Sequence, residues 1–228
     1  MTVVNTDSLA ETLDAANDVL FHRRRLAESN REELARWIAQ TSGKPGSYAG
    51  MFAPTDIDLR NGVRVYTGEM IRSRAGISHV LGEEACRALI LLGVGDSMIR
   101  EALQRATAGM LHLLRHNEDT RKVHGMFCCG FCSVAYWRHV IVGGLDRNEE
   151  RLSAGMEALR AHRTDDGRWR RFPFYYTLLA LSELDLESAL DEMRYVAPLL
   201  EHYVKRRVMG RRFPERRRAI SERILARC

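Results

Sequence analysis

The sequence is poor in residues that break or decorate a helix. Its 228 residues include five prolines, seventeen glycines and 7% aromatic residues. A turn-rich all-β fold needs more Pro and Gly than this. No apolar run nears the ~20 residues of a membrane helix, the longest being 88–94. Residues 1–16 are polar and acidic, which argues against a signal peptide. Dinucleotide, phosphate-loop, serine-elbow and His-Glu-x-x-His signatures are missing. What is present is 45% hydrophobic and 29% charged, enough for a core and too apolar for general disorder. The length suits one domain, or one domain with a short arm.

Cysteine is sparse and odd in number: Cys86, Cys128, Cys129, Cys132 and Cys228. Three of the five fall within five positions, unlike a secreted disulfide framework, so the expectation is a cytoplasmic chain with reduced thiols. Charge is uneven. The net charge is +5, yet residues 205–228 hold ten Lys or Arg against Glu215 and Glu222, a local +8. The first 204 residues are therefore at −3. Only Phe213 interleaves with the tail charges, so base stacking has little support. The tail reads as a solvated basic arm or a terminal helix, with nucleic acid binding through 205–227 as the alternative.

Ser8 and Glu11 form a capping-box pattern ahead of Leu9, Leu13, Ala16 and Leu20, which opens a first helix. Leu34, Trp37 and Ile38 place a second over 32–40. Residues 41–78 lack periodicity and carry Gly43, Pro45, Gly46, Gly50, Pro54, Gly62 and Gly68, so they read as a long loop with a short strand pair near 63–66. Helical patterns then cover 83–94, 96–116, 128–142, 149–162, 174–184 and 186–207. The class is all-α.

The chain also repeats itself. Trp37-Ile38, Gln40 and Gly46-Ser47-Tyr48 run parallel to Ala158-Leu159, His162 and Gly167-Arg168-Trp169, each followed by a more apolar helix. This unit is an α/α hairpin that must stack on others to hide its apolar face. The segment 158–169, with Asp165-Asp166-Gly167-Arg168-Trp169 leading into Pro173-Phe174-Tyr175-Tyr176, resembles the repeat of squalene cyclases and protein prenyltransferases. That resemblance spans about residues 32–185. It implies stacked hairpins in an open, toroid-like half barrel, or a homodimer, because three hairpins are too few for a closed ring. The expected organisation is a hairpin domain over 1–204 and a basic arm over 205–228.

Three candidate sites follow. The cyclase branch of the resemblance implies an acid in an Asp-x-Asp-Asp motif. Only Asp56-Ile57-Asp58 and Asp165-Asp166 approach it, leaving Asp56, Asp58 and Asp166 as acid candidates against a plain reading as turns. The prenyltransferase branch implies zinc bound by Asp, Cys and His. His124, Cys128, Cys132 and His139 form the densest candidate ligand set, the last three sharing one face of a helix over 128–142. Small buried cysteines packing between helices explain the same residues without a metal. The third set lies at equivalent positions of the repeat: Glu84, Arg87, Tyr136, Trp137, Arg138, Tyr175 and Tyr176. These groups either line a cavity for an apolar or anionic small molecule, isoprenoid-like by resemblance, or form an internal ion-pair network. A ligand-binding or enzymatic cavity is the leading functional expectation. The alternatives are an interaction module that binds a peptide or nucleic acid, and a zinc-dependent transferase.

Overall fold

The computed structural model describes residues 3–120, 125–205 and 212–228, without the side chains of 118–120. The fold is all-α. Ten helices form among these residues: α1 (Leu9–Phe21), α2 (Glu28–Ala39), α3 (Asp56–Asn61), α4 (Arg74–Leu92), α5 (Ser97–Thr120), α6 (Gly130–Ile141), α7 (Asn148–Arg160), α8 (Phe174–Glu183), α9 (Glu187–Val204) and α10 (Arg212–Leu225). A two-residue antiparallel pair, β1 (Val63–Arg64) and β2 (Met70–Ile71), is the sheet, with Val63 opposite Ile71. No described helix is long and apolar enough to cross a membrane.

The helices lie in two layers. α4, α6 and α8 pack side by side, with α1 flanking α4 and α10 flanking α8. α2 and α5 cover α4, α7 covers α6, and α9 covers α8. The pairs α4–α5, α6–α7 and α8–α9 are therefore stacked hairpins. The inner members are buried nearly all round: α6 from Cys132 to Val140, and α4 from Gly76 to Leu89. That is why their polar residues matter. A charge placed on these helices has no water to face, so it must find a partner inside the protein.

Two regions differ from the sequence expectation. α4 begins at Arg74, not 83, because Ser73 caps it by accepting from Gly76 N at 3.2 Å. Gly76 and Gly82 weaken the local pattern, yet Gly82 is demanded by packing: a Cβ there would lie 2.7 Å from Met51 Cε. The stretch between α2 and α4 is thus a tightly held segment, with Met51 and Phe52 fully buried against the inner layer. The second difference is the basic tail. Residues 212–225 are a helix docked on α8 and α9 through Ile220 and Ile224. Each such buried side chain stabilises the docking by about 1.5–3 kcal/mol. Its arginines are engaged. Arg216 donates to Asp14 Oδ1 at 2.7 Å and lies over the Tyr66 ring, Arg217 covers Tyr175, and Arg223 covers Phe21. An arm of solvated charge is not what these residues form.

Candidate metal centre

The repeat-equivalent polar residues were expected to converge, and four of them do. Arg138, 1% exposed, donates through Nε and Nη2 to both oxygens of Glu183, each at 2.9 Å, and through Nη1 to Glu84. Arg87 donates to the same Glu183 at 2.7 Å and to Asn17 Oδ1 at 3.0 Å. Asn17 also donates to Glu84 at 3.1 Å, and the Tyr176 hydroxyl donates to Glu84. Burial pushes the Glu183 carboxyl up, but the charges of Arg138 and Arg87 overcome this and hold it below the usual carboxylate range. Burial works against the Arg138 charge, and Glu183 and Glu84 more than restore it.

This is the ion-pair network rather than the wall of an open cavity. The space beside it is about 20 Å³, lined by Asn17, Tyr66 and Glu84 among others, room for a single water. The other three expected lining residues point elsewhere. Trp137 donates to Gly125 O at 2.8 Å and stacks on Phe172. Tyr136 meets Arg151, and Tyr175 packs between Arg217 and Tyr203.

The acid candidates have structural occupations. Asp58 caps two helices at once: Oδ1 accepts from Ser8 Oγ at 2.6 Å, and Oδ2 accepts from Leu9 N at 3.0 Å and Thr55 N at 2.9 Å. The Ser8 cap of α1 is present, its Oγ accepting from Glu11 N at 3.0 Å, while the Ser8 N–H that a capping box gives to the Glu11 side chain goes to Asn5 O at 3.3 Å. Asp56 is exposed in the first turn of α3. Asp166 is exposed in a turn and accepts from Thr164 Oγ1 at 2.6 Å. No two of these carboxylates share a site.

The cysteine cluster gives a different picture. α6 starts at Gly130, with Cys129 as its N-cap, so Cys128 precedes the helix and the shared face of 128, 132 and 139 does not exist. Cys128 and Cys129 are exposed and Cys132 is buried, which removes simple core packing as the account of the first two. Ser133 fixes this corner by donating to Cys129 O at 2.8 Å and accepting from Phe127 N at 3.0 Å. Gly130 allows the corner to press against the neighbouring backbone, where a Cβ would sit 2.1 Å from Arg171 O.

The imidazole facing these thiols belongs to His79 of α4, not to His139. His79, Cys128 and Cys132 bring their ligand atoms within 4.8 Å of one another. The His79 ring is held flat against Tyr48 at 4.2 Å between centroids and edge-on to Phe127 at 4.3 Å. Its Nε2 meets Glu83 Oε1 at 3.2 Å, while its Nδ1 is buried with no hydrogen-bond partner among the described residues. Glu83 Oε2 in turn meets His139 Nδ1 at 2.5 Å. Burial pushes Glu83 up, but its hydrogen bonds and the charges of the two imidazoles pull it down to about 2. Where the His79 ring is neutral, its contact with Glu83 keeps the proton on Nε2 and leaves Nδ1 for a ligand. His124 lies outside the described residues.

These residues fit a zinc ion on three counts. Thiolate and imidazole are the donors zinc prefers. A tetrahedral ion with Zn–S near 2.3 Å separates its sulfurs by about 3.8 Å, within the spread seen here. A carboxylate already orients the imidazole from behind, as outer-shell partners of metal-bound histidines do. Sequence reasoning found the two cysteines and missed His79. The signal was His79-x-x-x-Glu83, an i, i+4 pair of ionisable residues on one helix face. Comparison with family models, with curated proteins and with solved structures gave no match to this chain.

Proposed function

We propose that the chain is a zinc-dependent protein whose ion is bound by His79 Nδ1, Cys128 Sγ and Cys132 Sγ. The observation that carries this reading is a buried His79 ring that keeps Nδ1 without a hydrogen-bond partner among the described residues, offers a ligand atom within 4.8 Å of two thiols, and is backed by Glu83. An orphaned polar atom in a buried site costs about 1–3 kcal/mol, so its retention calls for a missing partner. Exposure of Cys128 opens one side of the centre to solvent. A zinc ion with three protein ligands supplies Lewis acidity toward a thiol or water that reaches it from that side, which favours the transferase class over a purely structural role.

The chain's own residues make the site rigid before any ion arrives. Tyr48 and Phe127 fix the ring plane of His79, Glu83 fixes its tautomer, and Ser133 fixes the thiol corner. The small-molecule cavity lined by Arg87 and Arg138 is less well supported, because Arg138 and the terminal nitrogens of Arg87 already meet Glu183, Glu84 and Asn17, leaving Arg87 Nε alone without a partner among their donors in the described residues.

The test is the metal content of the purified chain by elemental analysis, with native mass spectrometry for stoichiometry. About one zinc per chain is expected in the wild type, and less than a tenth of that in His79→Ala or Cys132→Ser. A wild-type chain that stays bare after incubation with zinc sulfate rejects the reading.

A further inference from the structure

A second feature lies at the far end of α4, where α1 ends and α2 begins. The chain leaves α1 by a turn in which Arg23 N donates to Leu20 O at 3.1 Å and Arg24 N to Val19 O at 2.9 Å. That pair of bonds requires a left-handed residue, commonly glycine, yet the residue is Arg23 at φ 51°. The turn leaves Arg23, Arg24 and Arg25 exposed in a row and returns the half-buried Leu26 toward the protein. α4 ends nearby at Gly93, left-handed at φ 61°, so Leu91 and Leu92 are its last residues.

These helix ends border a groove of about 420 Å³. Leu20, Leu26, Leu91 and Leu92 give it an apolar lining, and Arg24, Arg25 and Arg31 stand against the single acid Glu28. Leu91 is 43% exposed. One such leucine is ordinary, but four in one concave surface ringed by arginines mark a binding site. The arginines differ in what they meet. Arg24 reaches Asp18 at 3.0 Å and Arg31 reaches Glu28 at 3.7 Å. Arg25 makes no ion pair or side-chain hydrogen bond among the described residues. The groove therefore complements a molecule with an anionic head and an apolar chain.

We propose that it binds a long-chain carboxylate, the head on Arg25 and the chain over the four leucines. A guanidinium offers a carboxylate two parallel donors, and those of Arg25 are free to do so. Glu28 already meets Arg31, which directs the head to Arg25. An inorganic anion leaves the leucines wet, and a neutral hydrocarbon leaves the excess positive charge unanswered. The volume falls in the range of about 300–1,000 Å³ typical of small-molecule pockets, whereas a partner helix seats its anchors over two turns of a longer groove. The site is separate from the zinc reading. Leu91 lies about 18 Å along α4 from His79 at 1.5 Å per residue.

The experiment is calorimetric titration of the full chain with dodecanoate below its micelle concentration. One dodecanoate per chain is expected. Dodecyltrimethylammonium, with the same tail and the opposite charge, is expected not to bind. Octanoate should bind more than about tenfold more weakly, since each buried methylene counts. Arg25→Glu should weaken dodecanoate by about tenfold, and Leu91→Gln by about fivefold. Both side chains are exposed, so neither variant threatens the fold. Equal binding of the cationic amphiphile, or variants that bind dodecanoate as the wild type does, overturns the site. So does the absence of binding to monomeric dodecanoate; if that chain instead binds phosphatidylglycerol vesicles and not phosphatidylcholine ones, the groove faces a membrane surface. Prior treatment with a chelator should change nothing, and loss of binding there places the ligand at the thiol corner instead.

Discussion

Two buried polar clusters lie side by side on the inner helices, and they are built to different standards. Around Arg138 nearly every polar atom has a partner: both oxygens of Glu183, both of Glu84, and the amide of Asn17 are engaged. Around His79, one turn earlier on α4, the accounting is incomplete. Among the described residues His79 Nδ1 and His139 Nε2 have no hydrogen-bond partner, and two thiols face solvent. The first cluster is finished by the chain itself except at Arg87 Nε, which has no hydrogen-bond partner among the described residues. The second is preorganised, with aromatic rings and a carboxylate fixing the imidazole, yet it ends in atoms that await something. Completeness marks a structural network, and selective incompleteness marks a site.

The sharpest way to break this comparison is to damage the finished cluster. Arg138→Ala leaves Glu183 and Glu84 buried and short of positive charge, and is expected to cost about 3–5 kcal/mol in chemical denaturation. Metal content per folded chain should be unchanged. A loss below about 1 kcal/mol means that the network contributes little to stability and that these residues are free for another role. The next effect belongs to the unfinished cluster. Zinc at 100 times its dissociation constant is expected to stabilise the wild type by about 2.7 kcal/mol and to leave His79→Ala unmoved. Equal stabilisation of both proteins places the ion elsewhere.

The two clusters were unequally legible in the sequence. Stacked hairpins were readable because helical spacing and the Gly-x-aromatic turns are local signals, and α8 emerges over nearly its expected residues. Convergence of Arg87, Arg138, Glu84 and Tyr176 was readable from repeat equivalence, since matching positions on adjacent inner helices become neighbours. The docked α10 was not: its charges hide a narrow Ile220–Ile224 stripe, and the acids that receive Arg216 lie some two hundred residues away in α1. The metal centre was half legible. Cys128 and Cys132 announce themselves by spacing, whereas His79 comes from a different helix. His139 shares a face with Cys128 and Cys132 only on a helix begun at 128, two residues ahead of the observed start, which turns the Cys129 cap into a helix interior.

The smallest predicted effect tests whether the finished cluster holds its charges as described. Glu183 titrates below the usual carboxylate range in the folded protein because Arg138 and Arg87 outweigh its burial. A group with a depressed folded value contributes stability that is fully present above its unfolded value and is lost as pH falls through the folded one. Glu183→Gln removes that titration while keeping an acceptor for the arginines. At neutral pH the variant should be less stable by about 1.5 kcal/mol, the contribution of a charged hydrogen-bond acceptor. In acid the gap should close, because the wild-type carboxyl then becomes neutral as well. Denaturant titrations stepped from neutral to acidic pH decide it: parallel curves for the two proteins, with a constant gap, mean that Glu183 does not titrate against Arg138 and that the network is held by packing instead.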